Sequence, residues 1–283
     1  MIADQNCREG GIIVPFHAKN LLIPIAGTVM PCAMFGQGEK ALIILPGLGD
    51  GLKDVRGTAR MMAWLYRIFS RDYTVYMLSR RDVLPPQHTI RDMAEDVICA
   101  MDHLGINRAD VFGVSMGGMI AQHMAIHHPD RVGRLVLAVT CAHTSAKTKS
   151  AIGTWIDMAQ RGDHRALMDD NLRRIYTDAY CRRNGWAVSL FAPLTKPESY
   201  AKFLTMARAC ILHDAREGLS GITSPVLVIG GGQDRVVGPD AARELADLIP
   251  GAHLHEYPHL GHGAYDEAPD FNRIVLQFLK GEN

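Results

Sequence analysis

Net charge is the first thing missing from this chain of 283 residues: Lys and Arg together number 30, and so do Asp and Glu. Without a basic excess there is no electrostatic footprint for nucleic acid or an anionic membrane surface, which leaves a small molecule as the default partner. Long apolar runs are missing too. No uninterrupted stretch approaches the roughly 18–20 residues that span a bilayer. The start, Met1-Ile2-Ala3-Asp4-Gln5-Asn6-Cys7-Arg8-Glu9, has neither the basic region nor the apolar stretch of a signal peptide. The expectation is a cytoplasmic protein that does not enter a membrane. The six cysteines (Cys7, Cys32, Cys99, Cys141, Cys181 and Cys210) are scattered, with no C-x-x-C and no Cys/His metal spacing. In a chain without an export signal they read as reduced thiols. No metal and no cofactor are expected. Internal repeats and low-complexity tracts are also lacking.

What is present is an average globular composition, 47% apolar and 21% charged, in a length that suits one large α/β domain or two small ones. Apolar, proline-interrupted pieces at 11–16, 21–25 and 28–35 read as edge strands, because proline cannot donate to a sheet ladder. Ala41-Leu42-Ile43-Ile44-Leu45 is unbroken and apolar, the mark of a strand covered on both faces. From there the pattern alternates: a helix at 55–69, a strand at 73–78, an amphipathic helix from Thr89 to Leu104, a strand at 109–112, a helix at 117–127 and a strand at 134–139. Thr89 reads as an N-cap with Asp92 as its capping-box partner. Between about 142 and 215 the rhythm breaks into helical stretches without a convincing central strand. It resumes with a strand at 225–230, a helix at 240–248, a strand at 253–257 and a helix at 270–280. Alternating strands and helices imply a mostly parallel sheet with right-handed crossovers, and the break implies a helical insertion over one end of it. The division expected is a core of 1–141 and 216–283 with an inserted cap at 142–215.

Gly113-Val114-Ser115-Met116-Gly117-Gly118 sits at a strand-to-helix junction. A serine there, with glycines two positions either side, has the form of a nucleophile elbow, a turn so tight that the serine backbone is strained. Serine chemistry needs a base, a group that orients the base, and donors for a developing oxyanion. In an open α/β sheet all of these belong at the carboxyl ends of strands. Asp234 follows the strand 225–230, and His262, in Leu260-Gly261-His262-Gly263, follows the next strand. The expected donors are the backbone N–H groups of Met116 and of Leu48, the latter in the glycine-rich loop Pro46-Gly47-Leu48-Gly49-Asp50-Gly51. The positive end of the helix dipole after Ser115 points at the same spot.

With these stretches the chain resembles the α/β-hydrolase superfamily, the group with a helical cap between the sixth and seventh core strands. The resemblance runs from about residue 40 to the C-terminus. It rests on Leu45-Pro46-Gly47-Leu48-Gly49, the elbow through Gln122, His128-Pro129-Asp130-Arg131-Val132, Val228-Ile229-Gly230-Gly231-Gly232-Gln233-Asp234 and Leu260-Gly261-His262. It implies Ser115 as nucleophile, His262 as base and Asp234 as orienting acid, with no cofactor and a small-molecule substrate. It also implies carboxylesterase-like hydrolysis of a modest, largely apolar ester, thioester or lactone. Carbon–carbon bond hydrolases and acyltransferases of the superfamily keep the same set, and some members are ligand receptors without turnover. Halide processing is disfavoured, since that chemistry puts Asp at the elbow. Two departures stand out: Pro46-Gly47 where many relatives have His-Gly, and Ser79-Arg80-Arg81-Asp82 where many have Asp-x-Arg-Gly.

Competing residues have plainer readings. His259 belongs at a strand end on the surface; Asp240 and Asp247 fall on a helix as solvated or capping acids. His143 reads as a satisfied surface histidine near the site mouth, and His123, His127 and His128 as structural. Cys141 reads as a packing thiol, and Arg80 and Arg81 as members of a solvated loop.

Overall fold

The computed structural model describes residues 17–191 and 195–282; the strand expected at 11–16 lies outside them. The described strands are β1 (Lys19–Ile25), β2 (Thr28–Gly36), β3 (Lys40–Leu45), β4 (Tyr73–Leu78), β5 (Ala109–Val114), β6 (Val132–Ala138), β7 (Val226–Gly231) and β8 (His253–Tyr257). They form one sheet in the order β1-β2-β4-β3-β5-β6-β7-β8. β1 and β2 join antiparallel and every pairing from β4 to β8 is parallel. The helices are α1 (Ala59–Leu65), α2 (Ile90–His103), α3 (Met116–His127), α4 (Ala146–Gln160), α5 (His164–Ile175), α6 (Asp178–Phe191), α7 (Ala201–Ile211), α8 (Arg216–Leu219), α9 (Ala241–Leu248), α10 (Ala264–Glu267) and α11 (Phe271–Lys280).

The unbroken apolar strands have the cause expected of them. Along β3, Ile43 and Leu45 pack into one buried cluster with α2, α3 and α9, while Leu42 and Ile44 pack into another with α1 and α11. Each of these side chains is 0–1% exposed, and burying one contributes about 1.5–3 kcal/mol. A polar residue on either face would face apolar neighbours without a partner. α2 starts where the sequence says it should. Thr89 Oγ1 accepts from the Asp92 N–H at 3.1 Å, and Asp92 accepts from the Thr89 N–H at 2.9 Å, a full capping box.

Two expectations change. The helix foreseen over 55–69 is only α1, followed by a 3-10 turn at Arg67–Phe69. Gly57 takes φ +77°, which a helix cannot continue through, and Thr58 turns its hydroxyl back onto the Val55 carbonyl at 2.6 Å. β2 is not an edge strand, for it lies between β1 and β4 despite Pro31. The Pro31 carbonyl still accepts from the Ser79 N–H at 3.0 Å, so the strand loses one donor but keeps its acceptor.

The inserted helices follow the sixth strand. Between β6 and β7 the regular elements among the described residues are helices, apart from an isolated bridge, His143 to Asp214. That bridge is where the insertion leaves and rejoins the core. Thr144 N–H donates to the His213 carbonyl (3.0 Å) and Ala215 N–H to the Ala142 carbonyl (2.9 Å). The His213 ring nitrogen Nε2 reaches the Cys141 carbonyl at 3.2 Å. Among the described residues, no helix is long and apolar enough to cross a membrane.

Candidate active site

Ser115 stands between β5 and α3 with φ 54° and ψ −117°. A non-glycine residue seldom adopts positive φ, and strain of this kind persists only where the surroundings enforce it. The enforcement is visible in the neighbouring glycines. A Cβ on Gly113 would fall on the Gly117 carbonyl, and one on Gly117 on the Leu45 carbonyl. The Ser115 N–H donates to the Ala138 carbonyl of β6 at 2.8 Å. The serine is thus gripped by two neighbouring strands and its own helix.

Asp234 follows β7. Its Oδ1 accepts from the N–H groups of Val236 (2.7 Å) and Val237 (2.9 Å), which fixes the carboxylate plane. Oδ2 lies 2.7 Å from His262 Nδ1, and His262 Nε2 lies 2.9 Å from Ser115 Oγ. A carboxylate only accepts, so Nδ1 carries the proton and Nε2 is left to accept from the serine hydroxyl. Asp234 and His262 are 2% and 3% exposed, so water does not compete for this line. The three residues singled out from the sequence come together, in the order that lets an imidazole take a hydroxyl proton.

The loop after β3 approaches them. A Cβ on Gly47 would lie 3.3 Å from Ser115 Cβ, closer than an ordinary contact, so the glycine lets the loop come up against the serine. Leu48 opens a 3-10 turn, Leu48–Gly51, and Met116 opens α3. First-turn N–H groups have no partner inside their own helix, so both positions are donors without intrahelical acceptors.

Ser115 and His262 form the floor of a cavity of about 750 Å³. Trp155, Met168, Leu172, Ile175 and Tyr176 from the insertion line one wall. A second group of lining residues comes from the segment between Lys53 and Tyr66, including Thr58, Met61 and Met62. The sequence reading missed that second group; the Met61-Met62 pair was its only signal, and a methionine pair is equally at home in a core. The insertion also holds the histidine loop. The Gly263 N–H donates to the Ile175 carbonyl at 2.7 Å, and a Cβ on Gly263 would meet the Tyr176 ring at 2.6 Å. Tyr176 in turn donates to Asp266 at 2.6 Å, and burial with that neighbouring acid pushes its phenol upward.

The competing residues lie apart from this floor. His259, Asp240 and Asp247 are exposed. His143 faces Glu244 at 3.1 Å in the stem of the insertion. Cys141 is buried and its thiol is pushed up by that burial. His128 pairs with Glu95 at 2.9 Å. Arg80 and Arg81 correct the sequence reading: they are 1% and 6% exposed, not solvated. Arg81 Nε lies 3.2 Å from Asp96, which also pairs with His88 at 2.8 Å, and Arg80 lies behind Asp50. Among the described residues, no group of three or more His, Cys, Asp or Glu side chains is arranged to hold a metal ion.

Comparison with known proteins agrees with this geometry. Residues 42–271 match the alpha/beta hydrolase family. The RutD protein of Caulobacter sp. (strain K31), named a carbamate hydrolase, is 31% identical over 256 residues, which cover 86% of this chain and 92% of that protein. The 2-hydroxy-6-oxononadienedioate/2-hydroxy-6-oxononatrienedioate hydrolase of Burkholderia vietnamiensis (strain G4 / LMG 22486) is 30% identical over 260 residues, covering 87% of this chain and 88% of that protein. The crystal structure of the enol-lactonase from Burkholderia xenovorans LB400 superposes with a TM-score of 0.80 at 26% identity, over 92% of this chain and all (100%) of that one. By fold, by sequence and by the elements that carry its site, the chain belongs to the alpha/beta hydrolase family.

Proposed function

We propose that the protein is a serine hydrolase that cleaves a small, largely apolar ester, thioester or lactone through an acyl-enzyme on Ser115. The observation that carries the reading is the hydrogen-bonded line Ser115–His262–Asp234 at the floor of the cavity. In this mechanism Ser115 Oγ attacks the carbonyl carbon while His262 Nε2 takes its proton, and Asp234 stabilises the imidazolium. The N–H groups of Leu48 and Met116 receive the carbonyl oxygen as it becomes an oxyanion. The intermediate collapses, the leaving group departs with the proton from His262, and water then repeats the cycle on the acyl-enzyme. Residues 142–215 act as a cap whose apolar wall selects the acyl or alcohol portion.

The charge of the cavity favours a neutral substrate. Its lining includes Lys53, which is exposed, and Asp54, while the Asp50 carboxylate is buried against the Arg80 guanidinium. A dienedioate of the kind in the Burkholderia vietnamiensis relative's name would bring two negative charges to a lining in which Lys53 is already balanced by Asp54. Carbon–carbon bond hydrolysis is therefore the second reading, supported by those relatives and opposed by this lining.

A fluorophosphonate probe should label the wild type and leave Ser115→Ala unlabelled. Equal labelling of both proteins would overturn the nucleophile assignment. A panel of p-nitrophenyl esters of increasing chain length, with a lactone and a carbamate, separates the substrate classes. Inertness toward the whole panel, with labelling intact, would move the assignment to carbon–carbon bond hydrolysis.

A further inference from the structure

The loop that carries Leu48 is poorly built to hold itself in place. It has glycine at 47, 49 and 51, and its only regular piece is the four-residue 3-10 turn. Short 3-10 turns have weak hydrogen-bond geometry, and glycine leaves the backbone a wide choice of conformations. A Cβ on Gly49 would meet nothing within 4 Å, and what holds the turn internally is its own backbone bonding, Leu52 N–H and Lys53 N–H to the Gly49 carbonyl at 2.9 and 3.1 Å. Oxyanion stabilisation, however, needs its donors preorganised to a few tenths of an ångström.

The restraint comes from a buried carboxylate. Asp50, inside the turn, has a side chain that is 1% exposed. Its Oδ1 accepts from the Ser79 hydroxyl and its Oδ2 from the Arg80 N–H at 2.8 Å, both just past the end of β4. The same Ser79 oxygen accepts from the Val55 N–H at 3.0 Å. One hydroxyl, itself fully buried at 0% exposure, thus ties the loop at residue 50 and again at residue 55. Behind the loop, α7 leaves no room to retreat, since a Cβ on Gly51 would lie 2.8 Å from Phe203 Cα. Arg80 completes the cluster. Its Nε lies 3.9 Å from Asp50 Oδ2, and its guanidinium, 1% exposed, donates to the Leu78 carbonyl at 2.9 Å. A bare carboxylate two residues from an oxyanion donor would oppose the charge that the donor must stabilise; the guanidinium offsets it. Lys202 at the start of α7 donates to the Arg80 carbonyl at 2.7 Å and links the cluster to the insertion.

We propose that Asp50 and Ser79 are positioning residues that hold the Leu48 N–H in place to receive the oxyanion, with Arg80 cancelling the charge of the clamp. The inference rests on Ser115 being the nucleophile.

The test uses the intact protein and two probes of the oxyanion site. One is the rate of labelling by a fluorophosphonate; the other is the affinity of phenylboronic acid, which forms a negatively charged tetrahedral adduct on an active serine. Ser79→Ala should lower both by about 10- to 100-fold, less than the loss of a whole oxyanion donor. Asp50→Asn should do the same, and the double variant should be no worse than the poorer single one, because both break one tether. A merely structural role would lower the melting temperature and leave boronate affinity unchanged at 25 °C. Should Asp50→Asn fail to fold, with Arg80 left without its counter-charge, Ser79→Ala alone decides. Labelling and boronate affinity within twofold of wild type in Ser79→Ala would overturn the clamp, as would singles whose losses multiply in the double. An unlabelled wild type would overturn the serine reading, and the clamp with it.

Discussion

The sheet's carboxyl-end loops and the helical insertion share one cavity but are held by different means. In the core, Ser115, Asp234 and His262 are fixed by positive φ, by glycines with no room for a Cβ, and by hydrogen bonds to backbone. The insertion leaves the core through a stem, Cys141–Thr144 against Cys210–Ala215, closed by hydrogen bonds and the buried ring of His213, and it touches the core again through side chains and loops, at Tyr176 with Asp266 and at Lys202 with Arg80. Above the stem it presents apolar side chains such as Trp155, Met168 and Leu172. On the proposed reading, the reaction belongs to the sheet's loops and the choice of substrate to the insertion. Binding walls tolerate repacking, whereas a nucleophile and its base do not tolerate a displacement of an ångström.

The comparison breaks hardest at the orienting acid. Asp234→Asn keeps the two backbone hydrogen bonds that an oxygen can accept but favours the wrong imidazole tautomer. Turnover of the best ester should fall by roughly 10³- to 10⁴-fold with little change in melting temperature. Steady-state kinetics on the purified variant check this, and an unchanged kcat would place the acid elsewhere.

The stem should give way next, and to acid. Burial, with the His123 and His143 rings opposing a further positive charge, pushes the His213 imidazole down to about 4, although the Cys141 carbonyl and Asp214 favour its charged form. The unfolded ring titrates near 6.5. A histidine lowered on folding is neutral in the native protein while the unfolded chain takes up the proton. Its contribution is therefore fully present above about pH 6.5 and is lost as pH falls toward 4. Between pH 7.5 and 5.0 the loss from this ring is about 2 kcal/mol. His123, also pushed down to about 4 by burial and by His127 and Arg91, acts in the same direction. Urea unfolding at both pH values should show His213→Gln losing about 2 kcal/mol less than wild type on acidification; equal losses would remove His213 from the account.

The smallest effect belongs to the wall. Met168→Ala removes a flexible thioether from the cavity lining. The preferred p-nitrophenyl ester should lengthen by one or two carbons, with a change in kcat/KM ratio of about 10-fold or less, the scale of one or two methylenes in an apolar pocket. An unchanged chain-length profile would place the acyl group against the other wall, at Met61 and Met62.

Much of this was legible in the chain itself because its signals are local. Unbroken apolar runs and period-3.6 patterns laid out the strands and helices, with ends that moved by a few residues. The glycines around Ser115 announced a turn that only glycine permits, and the strand-end positions of Asp234 and His262 followed from the alternation. The helix at 55–69 was overcalled because apolar spacing outweighed a single glycine, Gly57, whose positive φ ends the pattern. Arg80 and Arg81 looked solvated because arginine usually is; their partners, Asp50 and Asp96, lie 30 and 15 positions away in the chain, so no short window contains the pairs.

Sequence alone therefore determined the architecture and the three residues of the candidate active line, since a tight turn and a strand end leave their marks within a few positions. Only the tertiary structure decided what stands around that line. The second cavity wall at 53–66, the clamp from Asp50 to Ser79 and the histidine-closed stem each join segments separated by dozens of residues. Such contacts are fixed by how sheet and helices pack, and the residues that make them carry no local pattern that distinguishes them from ordinary polar or apolar positions.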